Sequence, residues 1–356
     1  LTACIALGNF AWTAIAMDDI IPNDEFGIPD SNLYQYMLDS ADANGDGKLS
    51  RPEAEKFTKM EITRNPIYSL KGIELAVNLE ELRIYTSEIR DLTPLSGLKN
   101  LSRLLIYGGK IEDVTPLASI SSLWDISIRE NQITNADSLS SLSQLERLEL
   151  SMNQISDISF VSQLTNLTSL NLIHNQIEDI SALAGLTNLE SLYLAENRIH
   201  DISPLAQLTK LSFLYMPDNN ISDIYELSKL RGLMYAYLDE NRIKDLSPLQ
   251  DLPKLRQIHL SRNRVRDLSV LPTLPALEYL DVDNNNIEDI SPIPQTQIVE
   301  LHAGWNPIRD VNVLSNDSHI LYLYLNGLGL TDFSRMEGFP NLLELYLDDN
   351  RLSHFS

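Results

Sequence analysis

The feature that most constrains this chain is a fixed repeat. Residues 145–166 read LERLELSMNQISDISFVSQLTN, 167–188 read LTSLNLIHNQIEDISALAGLTN, and 189–210 read LESLYLAENRIHDISPLAQLTK. The period is 22 residues, and it is marked by Asn131, Asn153, Asn175, Asn197, Asn219, Asn241, Asn263 and Asn285. Extrapolation backwards reaches Gly109, Ser87 and Asn65. Forwards, one interval shortens to 21 at Asn306, after which 22 resumes through Leu328 and Asn350. No single repeat of this size buries its own apolar face, so stacking must supply the core. These positions predict about fourteen turns of a solenoid, the last one incomplete.

Within a turn the pattern is L-x-x-L-x-L-x-x-N-x-I, the leucine-rich-repeat consensus. The L-x-L segment alternates inside and outside and reads as a short strand. The asparagine marks the exit from that strand. Its amide can satisfy buried backbone groups, and stacked copies would form a ladder. The return then runs I-x-D-[ILV]-[ST], as in Asp91–Leu95, Asp201–Leu205 and Asp245–Leu249. That is too short for a long helix and predicts 3₁₀ or irregular turns, with Asp or Ser/Thr as caps. The aspartates Asp157, Asp179, Asp201, Asp223, Asp245, Asp267 and Asp289 share the period, which assigns them to capping rather than chemistry.

Over roughly residues 57–352 the period and the DISPL-type returns resemble the internalin family of bacterial surface and secreted proteins. The resemblance implies an α/β repeat fold: a right-handed leucine-rich-repeat solenoid or horseshoe. Its parallel β-sheet would line the concave face, its 3₁₀ or irregular returns the convex face, and a small helical cap would stand at the N-terminal end. It also implies adhesion to a host or neighbouring cell. Cytosolic 22-residue repeat scaffolds share the period, and secretion would separate the two classes.

Residues 1–16, LTACIALGNFAWTAIA, carry no charge and look like the hydrophobic and cleavage regions of a signal peptide. The expectation is a protein that is secreted or at the cell surface. Leu1–Cys4 also fits a lipobox, which would anchor the chain at Cys4, the only cysteine. The expected division is 1–16 signal remnant, 17–59 cap and 60–356 solenoid, with the chain stopping inside a repeat and expected to continue. A net charge of −23 argues against nucleic acid, which needs basic patches. No stretch outside the first sixteen residues is long and apolar enough to span a membrane.

In the cap, Asp30 or Ser31 can start a helix with Leu33, Met37 and Leu38 on its apolar face. Residues 42–53 then match a twelve-residue EF-hand loop. Asp42, Asn44 and Asp46 take positions 1, 3 and 5, and Gly47 takes 6. Lys48 offers its carbonyl at 7, Ser50 stands at 9, and Glu53 closes the loop at 12. The pattern predicts a structural calcium ion. Ser50-Arg51-Pro52-Glu53 is equally a capping box, and DANGDG alone makes a good turn. An exit helix is expected over about 52–59.

The residues six, four, two and one before each marker should face the concave side. Early turns place Tyr85, Arg103, Tyr107, Arg129, Glu130, Arg147 and Glu149 there. Later turns place Tyr193, Glu196, Phe213, Tyr215, Asp218, Tyr235, Tyr237, Asp239, Glu240, His259, Tyr279, Asp281, Asp283, His302, Trp305, Tyr322, Tyr324, Tyr346, Asp348 and Asp349. Ten of the fourteen tyrosines fall on this face, where a monomer has no packing use for them. Such an aromatic stripe with an acidic border predicts a binding site for a protein carrying basic patches. A glycan, or an envelope-assembly role, is the second reading. His259, Asp281 and His302 share one column and raise a metal-dependent enzyme as a third. The histidines would stand about 10 Å apart, and no nucleophile has a companion base, so the chain is read as a non-enzyme.

Overall fold

A computed structural model describes residues 19–331 and 339–353. The apolar segment 1–16, with Cys4, lies outside them. Among the described residues, fourteen parallel strands form one sheet in strict sequence order, from Lys59–Ile62 to Glu344–Tyr346. The returns are 3₁₀ turns of three to five residues, such as Ser203–Gln207 and Ser247–Leu249, stacked on their neighbours. The expected period-two strands and short returns are both present.

Each turn before the last described strand buries the same apolar set. In the turn beginning at Leu189 these are Leu189, Leu192, Leu194, Ile199, Ile202, Leu205 and Leu208, all solvent-inaccessible or nearly so. The return is steered by its aspartate. Asp201 Oδ1 accepts from the backbone N–H of Ser203 at 2.8 Å, and Asp179, Asp223, Asp245, Asp267 and Asp289 repeat the contact. These bonds hold the Asp179 and Asp289 carboxyls below the ordinary aspartate value.

The asparagines form the predicted ladder. Asn219 Oδ1 accepts from Ile199 N–H at 2.9 Å, and its Nδ2 donates to the carbonyls of Leu194 (2.9 Å), Met216 and Pro217. The residue before each marker asparagine from Asn131 onwards is left-handed, with φ between +51° and +58° at Glu130, Met152, His174, Glu196, Asp218, Glu240, Arg262, Asn284, Trp305 and Asp349. Such a conformation costs a side-chain-bearing residue free energy, and here the ladder imposes it. At the 21-residue interval the ladder keeps its partners, Asn306 accepting from Ile287 N–H at 3.0 Å. The missing residue is absorbed between Ser291 and the strand at Glu300. Gly109 breaks the series. Its φ is +134°, and a Cβ there would lie 2.9 Å from both Asn131 Oδ1 and Ser87 Oγ, so no side chain fits.

The cap comprises β1 (Ile20–Ile21), α1 (Ser31–Ala41), β2 (Leu49–Ser50) and α2 (Arg51–Ala54). The exit helix is therefore shorter than the expected 52–59. The chain must enter the sheet by Lys59, where Thr58 O already accepts from Glu80 N–H at 2.8 Å. Asp30 caps α1 through Oδ1, which accepts from Asn32 and Leu33 N–H. Its Oδ2 accepts from Tyr68 N–H at 2.6 Å and Ser69 N–H at 3.0 Å, in the first turn of the solenoid. One buried carboxylate thus joins cap to stack. Asp30→Ala is expected to destabilise the protein by about 2–4 kcal/mol, more than an ordinary helix cap. Chemical denaturation of the variant checks this, with proteolysis reporting whether the cap opens first.

Candidate functional site

The strands Ser191–Tyr193, Phe213–Tyr215, Tyr235–Tyr237, Gln257–His259, Tyr279–Asp281, Glu300–His302, Tyr322–Tyr324 and Glu344–Tyr346 carry the later concave face. Parallel pairing aligns Tyr193, Tyr215, Tyr237, His259, Asp281, His302, Tyr324 and Tyr346 in one column, as the period required. A second column holds Phe213, Tyr235, Gln257, Tyr279, Glu300, Tyr322 and Glu344. The strand residue between each such pair points into the core, except Leu345 of the last strand, which is exposed.

The rings form one continuous series that crosses between columns. Tyr193 meets Phe213 at 5.1 Å between centroids, Phe213 meets Tyr237 at 5.4 Å, and Tyr237 also meets Tyr215 at 5.4 Å. Tyr235 touches Phe213 at 6.0 Å. Tyr237 stacks on His259 at 4.1 Å and His259 on Tyr279 at 4.4 Å. Asp281 interrupts the first column, and Tyr279 bridges the gap by reaching His302 at 5.4 Å. His302 stacks on Tyr324 at 3.8 Å, and Tyr324 on Tyr346 at 4.4 Å. This corrects the expectation that a monomer has no packing use for these rings. They pack on one another, and most are half-buried. Tyr322 and Trp305 take no part in the ring series. Trp305 sits at a left-handed position, with its indole against Gly327 of the next turn.

The acids lie beside the rings. Asp218, Asp239, Asp281, Asp283 and Asp348 have no ion pair among the described residues. Burial pushes the Asp281 and Asp283 carboxyls up to about 6, although Asp283 Oδ1 accepts from Gly304 N–H at 2.6 Å. Burial also lowers His259 and, with the surrounding carboxylates, raises Tyr279. The structure revises the metal-binding column. His302 Nε2 is engaged by Glu300 Oε1 at 2.9 Å, and the group that converges is Asp239, His259 and Asp281. Sequence spacing placed all three on this face but not together, because Asp239 reaches across the column boundary.

The early concave face differs in kind. Arg103 donates to Asp125 (3.0 Å) and Glu81 (3.2 Å), and its guanidinium lies over Trp124. Arg83 pairs with Glu81, and Arg129 covers the Tyr107 ring at 4.0 Å. Arg83 and Arg103 are thus paired within the chain, whereas Arg129 Nε is buried without a hydrogen-bond partner among the described residues.

In the cap, the loop predicted for calcium is closed by backbone hydrogen bonds. Asp42 accepts from Gly45 N–H (2.8 Å) and Gly47 N–H (3.0 Å), Asn44 from Asp46 N–H, and Asp46 from Lys48 N–H. Gly45 and Gly47 are left-handed. Glu53 is buried, its Oε2 accepting from the N–H and hydroxyl of Ser50 and its Oε1 from Ala43 N–H at 3.1 Å. The capping box is therefore formed. Leu49, at position 8 of the loop, pairs with Ile21 of β1 in a short antiparallel ladder.

The repeat, its sheet and its ladder define a leucine-rich-repeat protein. The sequence model for "Leucine Rich repeats (2 copies)" matches residues 143–185, 187–232, 235–273 and 258–295. Within that class the chain is similar to the internalins. An internalin (InlF) from Listeria monocytogenes superimposes with a TM-score of 0.87 at 27% identity, covering 93% of this chain and 98% of that one. The functional domain of InlJ from the same organism matches with a TM-score of 0.66 at 23% identity, over 86% of this chain and 72% of that one. The plant peptide hormone receptor RGFR1, solved in complex with RGF2, shares the fold with a TM-score of 0.61 at 20% identity, over 78% and 52%. No curated protein matches the sequence significantly. Among the described residues, no helix is long and apolar enough to cross a membrane.

Proposed function

We propose that this is a secreted or surface-displayed protein-interaction module whose later concave face, Tyr193 to Tyr346, binds a protein partner through basic residues. The observation that carries the reading is the continuous ring series flanked by aspartates without cationic partners. Aromatic rings with polar tips supply contact area at low conformational cost, and unpaired carboxylates select a positively charged partner. The internalin-like fold and the extracellular character of that family support it, as does the peptide complex of the plant receptor.

Capture from host and self extracts tests the proposal, with Tyr193→Ala/Tyr215→Ala/Tyr324→Ala as the control bait. A protein held by the wild type and lost by the control supports the concave site. Equal capture by both baits, or retention of polysaccharide alone, removes it in favour of another face or a glycan role.

The cap loop is proposed to bind calcium through Asp42, Asn44, Asp46, the Lys48 carbonyl, Ser50 and Glu53. The left-handed glycines and the Leu49–Ile21 pairing favour it. Calcium is then expected to raise Tm by several degrees, because a ligand bound only by the folded state stabilises it. Glu53→Gln, which keeps hydrogen-bonding capacity at the capping box, should lose that shift. A Tm that calcium does not move counts against the site.

A further inference from the structure

We propose that Asp239, His259 and Asp281 form a binding site for one divalent transition-metal cation of the zinc type, set into the aromatic stripe. One carboxylate oxygen of each aspartate and one ring nitrogen of His259 lie within 4.8 Å of one another. Tetrahedral zinc at ligand distances of about 2.0–2.2 Å holds its ligands about 3.4 Å apart. Closure thus requires side-chain movements of about 1 Å, within reach of aspartate rotation.

Three observations beyond proximity support the site. His259 Nε2 is shielded from solvent and has no hydrogen-bond partner among the described residues, a costly state for a polar atom that lone-pair donation to a cation would relieve. The His259 ring is fixed by Tyr237 at 4.1 Å on one face and Tyr279 at 4.4 Å on the other. Each aspartate is held through one oxygen and keeps the other for a ligand. Asp239 Oδ1 accepts from Ser261 N–H and Oγ–H at 2.9 Å, and Asp281 Oδ1 from Asp283 N–H at 3.0 Å. Such hydrogen bonds orient ligating carboxylates. An imidazole with two carboxylates suits zinc or its neighbours better than calcium, which takes six to eight oxygens. Three protein ligands leave a further coordination position facing the concave side.

The inference does not depend on a protein partner. Calorimetric titration of the chelator-treated 356-residue chain with zinc tests it, in calcium excess so that the cap loop is saturated. One tight equivalent is expected, lost or weakened at least tenfold in His259→Gln. Asp239→Asn and Asp281→Asn keep the Oδ1 acceptors and so preserve the local hydrogen bonds; both should weaken binding while leaving the circular dichroism and Tm of the metal-free chain near wild type. Cobalt should give a visible absorption band that His259→Gln removes. Absence of a tight equivalent overturns the proposal, as does unchanged affinity in all three variants.

Discussion

Asn219→Ala is expected to destabilise the protein by about 2–4 kcal/mol, a large effect for removal of one polar side chain. The amide serves three carbonyls and one N–H in the buried seam between turns, and Ile199 N–H has no other partner there. Alanine leaves that donor buried and unsatisfied, at about 1–3 kcal/mol, with the carbonyl losses added. The left-handed Asp218 before it also loses the contact that imposes its conformation. The Met216 carbonyl accepts from both Asn219 and Asn241, so the two alanine variants are expected to be non-additive by about 0.5–3 kcal/mol. Urea denaturation of the two single variants and the double checks this. Asn188→Ala is the control. Its exposed amide donates to Thr165 O at 3.0 Å, and its loss should change stability by less than about 1 kcal/mol. Equal effects at Asn219 and Asn188 would mean that burial does not govern the seam.

Replacing Tyr193, Tyr215 and Tyr324 with alanine is expected to weaken a captured partner by about 100-fold or more, since two or three hot-spot rings are removed. None of the three touches His259, so metal binding should survive the change. Arg103→Ala on the early face should leave affinity within about threefold, because that guanidinium is already engaged by Asp125, Glu81 and Trp124. Affinity should also fall as salt rises, the signature of a cationic partner on unpaired carboxylates. Titration of the purified partner at two salt concentrations reads both effects. An Arg103→Ala loss equal to that of the tyrosine variant would move the site to the early turns.

The sequence by itself determined everything that shares the period. Each repeat contacts only its neighbours, so the 22-residue spacing sufficed to place the sheet, the buried leucines, the asparagine ladder and the aspartate-led returns. A second, exposed set keeps the phase of the period without its continuity, since Ser122, Gln144 and Lys210 take the same place in other turns, and its role shows only in three dimensions: Asn100, Asn166 and Asn188 each donate to a carbonyl 23 residues earlier. The tertiary structure alone decided what crosses the period or lies outside it. Spacing assigns a side chain to a column but not its direction of lean. The gathering of Asp239 with His259 and Asp281, and the bridge from Tyr279 to His302, are therefore invisible in a list of offsets. The cap has no repeat to calibrate it. The second oxygen of Asp30 reaching Tyr68 and Ser69, and the pairing of Leu49 with Ile21, depend on how a short non-periodic segment folds onto the first turn, and that is settled by packing rather than by spacing.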